Sequence, residues 1–140
     1  MAFGEVFSAL EQGVVDGQEN PWSTILTSRF DEVQDYGSET RHVYTPFLIL
    51  IGEEFYDGLS EEDQTLIQEA AVQAAEYQRT ISREYDTYAQ EELANRGMEI
   101  TELSDEELAA FQEAVQPVYE QWQDEIGAEL IERVQQQTQN

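Results

Sequence analysis

Residues 13–21 read Gly-Val-Val-Asp-Gly-Gln-Glu-Asn-Pro. Nearly every residue in this stretch constrains the backbone locally. Gly13 suits the left-handed position just past a helix, because it has no Cβ to clash. Val14 and Val15 favour extended backbone, and Asp16-Gly17 is a turn pair. Pro21 disfavours helical geometry at Asn20 and pushes that residue toward extended backbone. Pro21 also suits the opening of a helix, where its missing N–H is harmless. The stretch therefore predicts a helix end, a turn, a short extended piece ending in a polar amide, and a new helix.

Working outward, Val6, Phe7 and Leu10 share one face and predict a helix over residues 4–12. A second helix is expected over roughly residues 21–30, followed by polar sequence with a turn at Tyr36-Gly37-Ser38. His42 to Ile51 reads as the best strand. Its Phe47–Ile51 half is continuously apolar, as in a strand covered on both faces, while Pro46 marks a bend or an edge.

Residues 60–96 carry the strongest periodicity. Leu66, Ala70, Ala74, Tyr77, Ile81, Tyr85 and Tyr88 step by 4, 4, 3, 4, 4 and 3 and form one stripe of a long helix. Ser60 caps its start ahead of Glu61, Glu62 and Asp63, and Gly97 stops it. Met98–Leu103 predicts a short strand. Ser104 and Glu107 form a capping box for a last helix, whose buried face is expected to include Leu108, Phe111, Val115, Val118, Trp122 and Ile126. Pro117 must kink that helix by clashing with the Glu113 carbonyl, and Gly127 can break it again. The polar tail Gln135–Asn140 is expected to fray.

Composition limits the possible partners. The chain holds 31 acidic residues against six arginines and no lysine, a net charge of −25. Nothing here could neutralise a row of phosphates, so nucleic acid and anionic membrane surfaces are excluded as partners. No apolar run approaches the ~20 residues of a membrane span, so no direct membrane insertion is expected. With no cysteine and a single histidine, thiolate and paired-histidine metal sites are excluded. The acid-rich, lysine-free composition resembles that of proteins from halophiles and predicts stability that rises with salt.

The motifs together resemble one transport family. Residues 1–10 (Met-Ala-Phe-Gly-Glu-Val-Phe-Ser-Ala-Leu) are followed by the 13–21 block, then by Phe30, Glu32-Val33-Gln34 and Thr40-Arg41-His42-Val43. This order is similar to the later part of TRAP (tripartite ATP-independent periplasmic) solute-binding proteins of the DctP type. Residues 59–64, 70–79 and the closing Gln116-Pro117-Val118-Tyr119 match family habits as well. The resemblance covers essentially the whole chain and rests most specifically on Asp16–Pro21.

The resemblance implies a helix-rich α/β chain, the C-terminal part of a two-lobe periplasmic-binding-protein-like fold. The long helix at 60–96 and the kinked last helix belong to that part, and the N-terminal half lies outside residues 1–140. It implies capture of a small organic acid, outside the cytoplasmic membrane or at the cell surface, for TRAP membrane subunits. Asn20 would donate a hydrogen bond to the ligand carboxylate, and Phe3 would pack on the ligand body. His42 would make an indirect polar contact, and Glu19 and Gln18 would line the wall. Trp22 stands where relatives commonly have a smaller aliphatic residue, so it could reshape the pocket. The family's carboxylate-clamping arginine lies upstream, so residues 1–140 alone are expected to bind ligand weakly or not at all. No cofactor is implied.

Enzyme readings find no support. No Gly-rich phosphate loop and no Gly-x-Ser-x-Gly elbow occurs, and any nucleophilic triad would have to use His42. The alternative is a helical structural or protein-interaction module whose 60–96 stripe packs on a partner helix. The reading frame upstream of Met1 separates the two. Continuation into another lobe behind a signal segment supports transport, and a genuine start codon with promoter context supports the alternative.

Overall fold

A computed structural model of the chain describes residues 1–138. The chain divides into two compact units, one of residues 1–37 and 41–101, the other of residues 38–40 and 102–140.

The first unit begins with a 3-10 turn, Phe3–Glu5, running into helix α1, Val6–Glu11. Gly13 ends this segment at φ 66°, in the left-handed region that spares glycine a steric penalty. The Val14 N–H then reaches back to the Ala9 carbonyl at 2.8 Å, satisfying a helix-end acceptor. Pro21 is the N-cap of α2, Trp22–Thr27, which is shorter than expected and hands over to a 3-10 turn at Phe30–Glu32.

Helix α4, Glu61–Asn95, is the long helix read from the sequence. The Ser60 hydroxyl caps it, accepting from the Asp63 N–H at 3.2 Å. Helix α2 packs on α4, and Asp86 of α4 accepts the Ser23 N–H at 3.1 Å. A first-turn donor with no partner inside its own helix is thus satisfied from α4. The core lies around this contact: Leu10, Ile25, Leu26, Phe30, Ala89, Leu93 and Met98, with Phe30 only 2% exposed. Arg96, at the end of α4, donates to Glu92 at 2.9 Å and reaches Asp31 at 3.5 Å. The Glu92 hydrogen bond holds its guanidinium pKa above the ordinary value. Asp31 is 6% exposed along its side chain, so this bridge ties the Phe30–Glu32 turn to the helix end.

Three expectations are corrected here. Tyr36–Glu39 is a strand, β1, paired with β2, Glu99–Glu102, where the sequence suggested a turn. Gly37 serves closeness rather than turning. A Cβ there would stand 2.8 and 2.9 Å from two indole carbons of Trp22 and 3.3 Å from the Met98 sulfur. Trp22 itself packs against the core. Gly37→Ala must displace that indole and is expected to lower the unfolding free energy by about 1–3 kcal/mol, read by urea denaturation.

The second correction concerns His42–Ile51, which forms no strand; the next element is the short helix α3, Glu53–Asp57. The segment runs in open chain with its apolar residues exposed, Phe47 at 88%. A strand exists only when a neighbour takes up its N–H and C=O groups. Among the described residues no strand does so. The third correction is that the periodic stripes are not covered. On α4 only Ala89 and Leu93 are buried, while Tyr77 is 71% exposed.

The second unit carries α5 (Asp105–Ala114), α6 (Gln116–Ile126) and α7 (Ala128–Thr138). The expected capping box is present. The Glu107 N–H donates to the Ser104 hydroxyl at 3.3 Å, and the Ser104 N–H donates to the Glu107 carboxylate at 2.8 Å. The anticipated kink is a full break, with α5 ending before Gln116 and Pro117 sitting in the first turn of α6. Gly127, at φ 94°, makes the second break. Helix α7 extends through Thr138, so most of the tail expected to fray is helical; residues 139 and 140 lie outside the described residues. The face from Leu108 to Ile126 holds no buried residue.

The hydrogen bonds from the Ser104 N–H and hydroxyl, the N–H first, lower the Glu107 pKa from its ordinary 4.5. A lowered folded-state pKa gives stability that is present above the unfolded value and lost as pH falls through the folded one. The first turn of α5 is therefore expected to loosen as pH drops below about 4.5. Amide protection factors at Glu107 and Leu108, corrected for the intrinsic exchange rate, should fall there, and Glu107→Gln should flatten that pH dependence.

Candidate functional site

The loop between α1 and α2 presents the candidate ligand groups. In extended backbone, side chains two residues apart share a face. Pro21 keeps Asn20 extended, so Gln18 and Asn20 stand side by side. The Asn20 Nδ2 donates to the Gln18 Oε1 at 2.6 Å, and both side chains are half-buried. An amide nitrogen carries two hydrogens, so one donor of Asn20 is used within the loop and its second is not consumed by this bond.

Glu19, between them in sequence, is exposed. Its carboxylate lies 3.4 Å from the His42 Nε2, with side-chain exposures of 69% and 51%. The contact is an ion pair only when His42 is protonated. It joins the motif loop to the start of the open segment 42–51. Phe3 is 56% exposed, and its ring leans on Phe30 with centroids 6.0 Å apart and planes at 59°. One face of Phe3 is thus a core contact and the remainder is available to solvent.

The structure therefore brings Glu19 to His42 and Asn20 to Gln18, and places Phe3 on the core. Gln18 as the direct partner of Asn20 was not singled out in the sequence, although the spacing of two before a proline was its signal. The described arginine pairs are internal: Arg29 with Glu32, and Arg96 with Glu92 and Asp31. Among the described residues no group of three or more histidines and acids is placed to hold a metal ion. No helix among them is long and apolar enough to cross a membrane.

An amide ahead of a proline, a half-exposed aromatic and an acid–histidine pair are each of a kind that can contact a small polar solute. The profile of the DctP family, bacterial extracellular solute-binding protein family 7, matches residues 1–125, and these include every residue of this loop. The chain belongs to the DctP family. DctP proteins are TRAP-type solute-binding proteins of transport and are periplasmic; the family is not one of enzymes. The chain is 36% identical over 135 residues to the C4-dicarboxylate-binding periplasmic protein DctP of Rhodobacter capsulatus, covering 96% of this chain and 40% of that protein. A TRAP periplasmic solute-binding protein from Ochrobactrum anthropi, solved with its C-terminus in its ligand-binding pocket, is 43% identical. It superposes with a TM-score of 0.87 over 95% of this chain and 42% of that one. A Polaromonas relative bound to D-erythronate is 40% identical with a TM-score of 0.80, over 96% and 44%. The chain thus spans about two-fifths of the length of these relatives.

Proposed function

We propose that residues 1–140 are the C-terminal part of a DctP-type protein that captures a small organic acid outside the cytoplasmic membrane and delivers it to TRAP membrane subunits. The observation that carries this reading is the family match across the Asp16–Pro21 loop. C4-dicarboxylates and D-erythronate, the ligands of two relatives, share the carboxylate group.

In this reading the free N–H of Asn20 donates to the ligand carboxylate, a neutral donor that needs no counter-charge in an acid-rich loop. The exposed part of Phe3 packs on the carbon body of the ligand. His42, held by Glu19, offers an indirect polar contact. The open segment 42–51 and the uncovered stripes of α4 to α7 are the faces that the rest of the protein covers. An open apolar segment and bare apolar stripes of this extent are unfavourable in water.

The test has two steps. Sequencing the reading frame upstream of Met1 should reveal a further lobe behind a signal segment. Calorimetric titration of the protein it encodes with succinate and D-erythronate should then give micromolar or tighter binding to at least one of them. A start codon at Met1 with its own promoter, together with no heat from either acid, would overturn the proposal.

A further inference from the structure

We infer that Asp86, on the long helix α4, is a positioning residue for ligand capture: it pins the first turn of α2 and so sets where Asn20 stands. The inference rests on the reading of Asn20 as the carboxylate donor. Asp86 shares one face of α4 with Ala89 and Leu93, at helical spacing. Those two are both 0% exposed and pack in the core with Ile25 and Leu26 of α2. Asp86 is half-buried on the same stripe. An apolar side chain would sit there without penalty, whereas a carboxylate must keep a donor to be tolerated.

That donor is the Ser23 N–H, 3.1 Å from the Asp86 Oδ1. The Pro21 carbonyl accepts the Thr24 and Ile25 N–H groups at 2.9 and 3.0 Å, so the helix ladder begins after Ser23. Pro21, the N-cap, has no side-chain acceptor to offer Ser23. Asp86 supplies one from 63 positions away, with negative charge at the positive end of the helix. The contact has a single sense, because a backbone N–H can only donate and an ionised carboxylate can only accept. Asn20 lies three positions before Ser23. Of the two residues between, Pro21 has its φ fixed by the ring, at −57°, and Trp22 packs against the core. A shift at the start of α2 is therefore passed on to Asn20, and a ligand-binding group must be held to within about 0.5 Å of its productive place.

The experiment uses the protein of the complete reading frame, and its first arm needs no ligand. In the 15N,13C-labelled protein, a through-hydrogen-bond coupling is expected between the Ser23 amide nitrogen and the Asp86 Cγ, and the Ser23 amide should exchange slowly. Asp86→Leu suits the apolar stripe but offers no acceptor. It should speed Ser23 exchange and move the Asn20 backbone peak while those of Leu10 and Phe30 stay in place. Asp86→Ala serves if the leucine variant does not fold. Asp86→Asn keeps an acceptor oxygen and should restore slow exchange. Absence of the coupling in the unaltered protein, or an Asn20 peak unmoved in Asp86→Leu, overturns the inference.

The binding arm titrates the same variants with succinate and D-erythronate. Asp86→Leu should weaken binding by about tenfold or more, and Asp86→Asn by about threefold at most. If Asp86 acts through Asn20, Asp86→Leu made on top of Asn20→Ala should cost no more than about threefold further. The same tenfold loss in that background would mark a general loosening of the fold and overturn the inference, as would wild-type affinity in Asp86→Leu. Wild-type affinity in Asn20→Ala instead sinks the reading of Asn20 as donor, and the inference with it.

Discussion

Asn20→Asp is expected to cut the affinity of the complete protein for succinate and D-erythronate by about 100-fold or more. The substitution keeps the size and shape of the side chain, removes its donor and places a second negative charge against the ligand. A hydrogen bond to a charged group is worth roughly 1.5–3 kcal/mol, and each 1.4 kcal/mol is tenfold in affinity. Like-charge repulsion adds to that loss. Asn20→Ala removes the donor without adding charge, so it should cost less, about tenfold. The order Asp worse than Ala is the informative part. Isothermal titration of both variants at one salt concentration reads it, and an aspartate variant that binds within tenfold of the unaltered protein would falsify the assignment. The Glu107 capping box provides an internal control, because Glu107→Gln should leave affinity unchanged.

Raising KCl from 0.1 M to 2 M is expected to lift the thermal midpoint of residues 1–140 by roughly 10 °C, corresponding to a few kcal/mol for a domain of this size. The cause is the imbalance of 31 acids against six arginines. The described pairs Arg29–Glu32, Arg96–Glu92 and Arg96–Asp31 account for few of those acids. The screening length falls from about 10 Å at 0.1 M to about 3 Å at 1 M, so repulsion between neighbouring carboxylates fades over this range. NaCl should act like KCl at equal concentration, since screening depends on ionic strength. A midpoint that stays flat between 0.1 and 2 M in both salts would show that the acidic surface does not limit stability.

Much of the local structure was legible before the fold was known, because it is written in short-range rules. Asn20 before Pro21 fixes its own backbone, and Gly13 sets its own left-handed turn. The caps at Ser60 and Ser104 each act over three residues, and the breaks at Pro117 and Gly127 follow from one ring and one missing Cβ. The Glu19–His42 contact was not legible as a contact. It joins positions 23 residues apart across an irregular segment, and no periodicity reports such a meeting. The packing of Trp22 was not legible either: its indole lies against Gly37 and the core cluster that includes Met98, and the β1–β2 pairing brings Gly37 and Met98 close. The buried carboxylate of Asp31 was equally silent, since its partner Arg96 is 65 positions away.

The order of residues alone was enough to specify the long helix, the caps at Ser60 and Ser104, the positions where the last helix is interrupted, and the family, because each is written in groups close together along the chain. The folded arrangement settled which apolar faces are covered. Leu10, Ile25, Phe30 and Leu93 meet in a core, while the equally apolar run Phe47–Ile51 and the stripe through Tyr77 do not. Hydropathy marks a residue as ready for burial, but burial takes a second surface. A strand likewise needs a neighbour for its backbone hydrogen bonds, and that neighbour is a property of the whole fold.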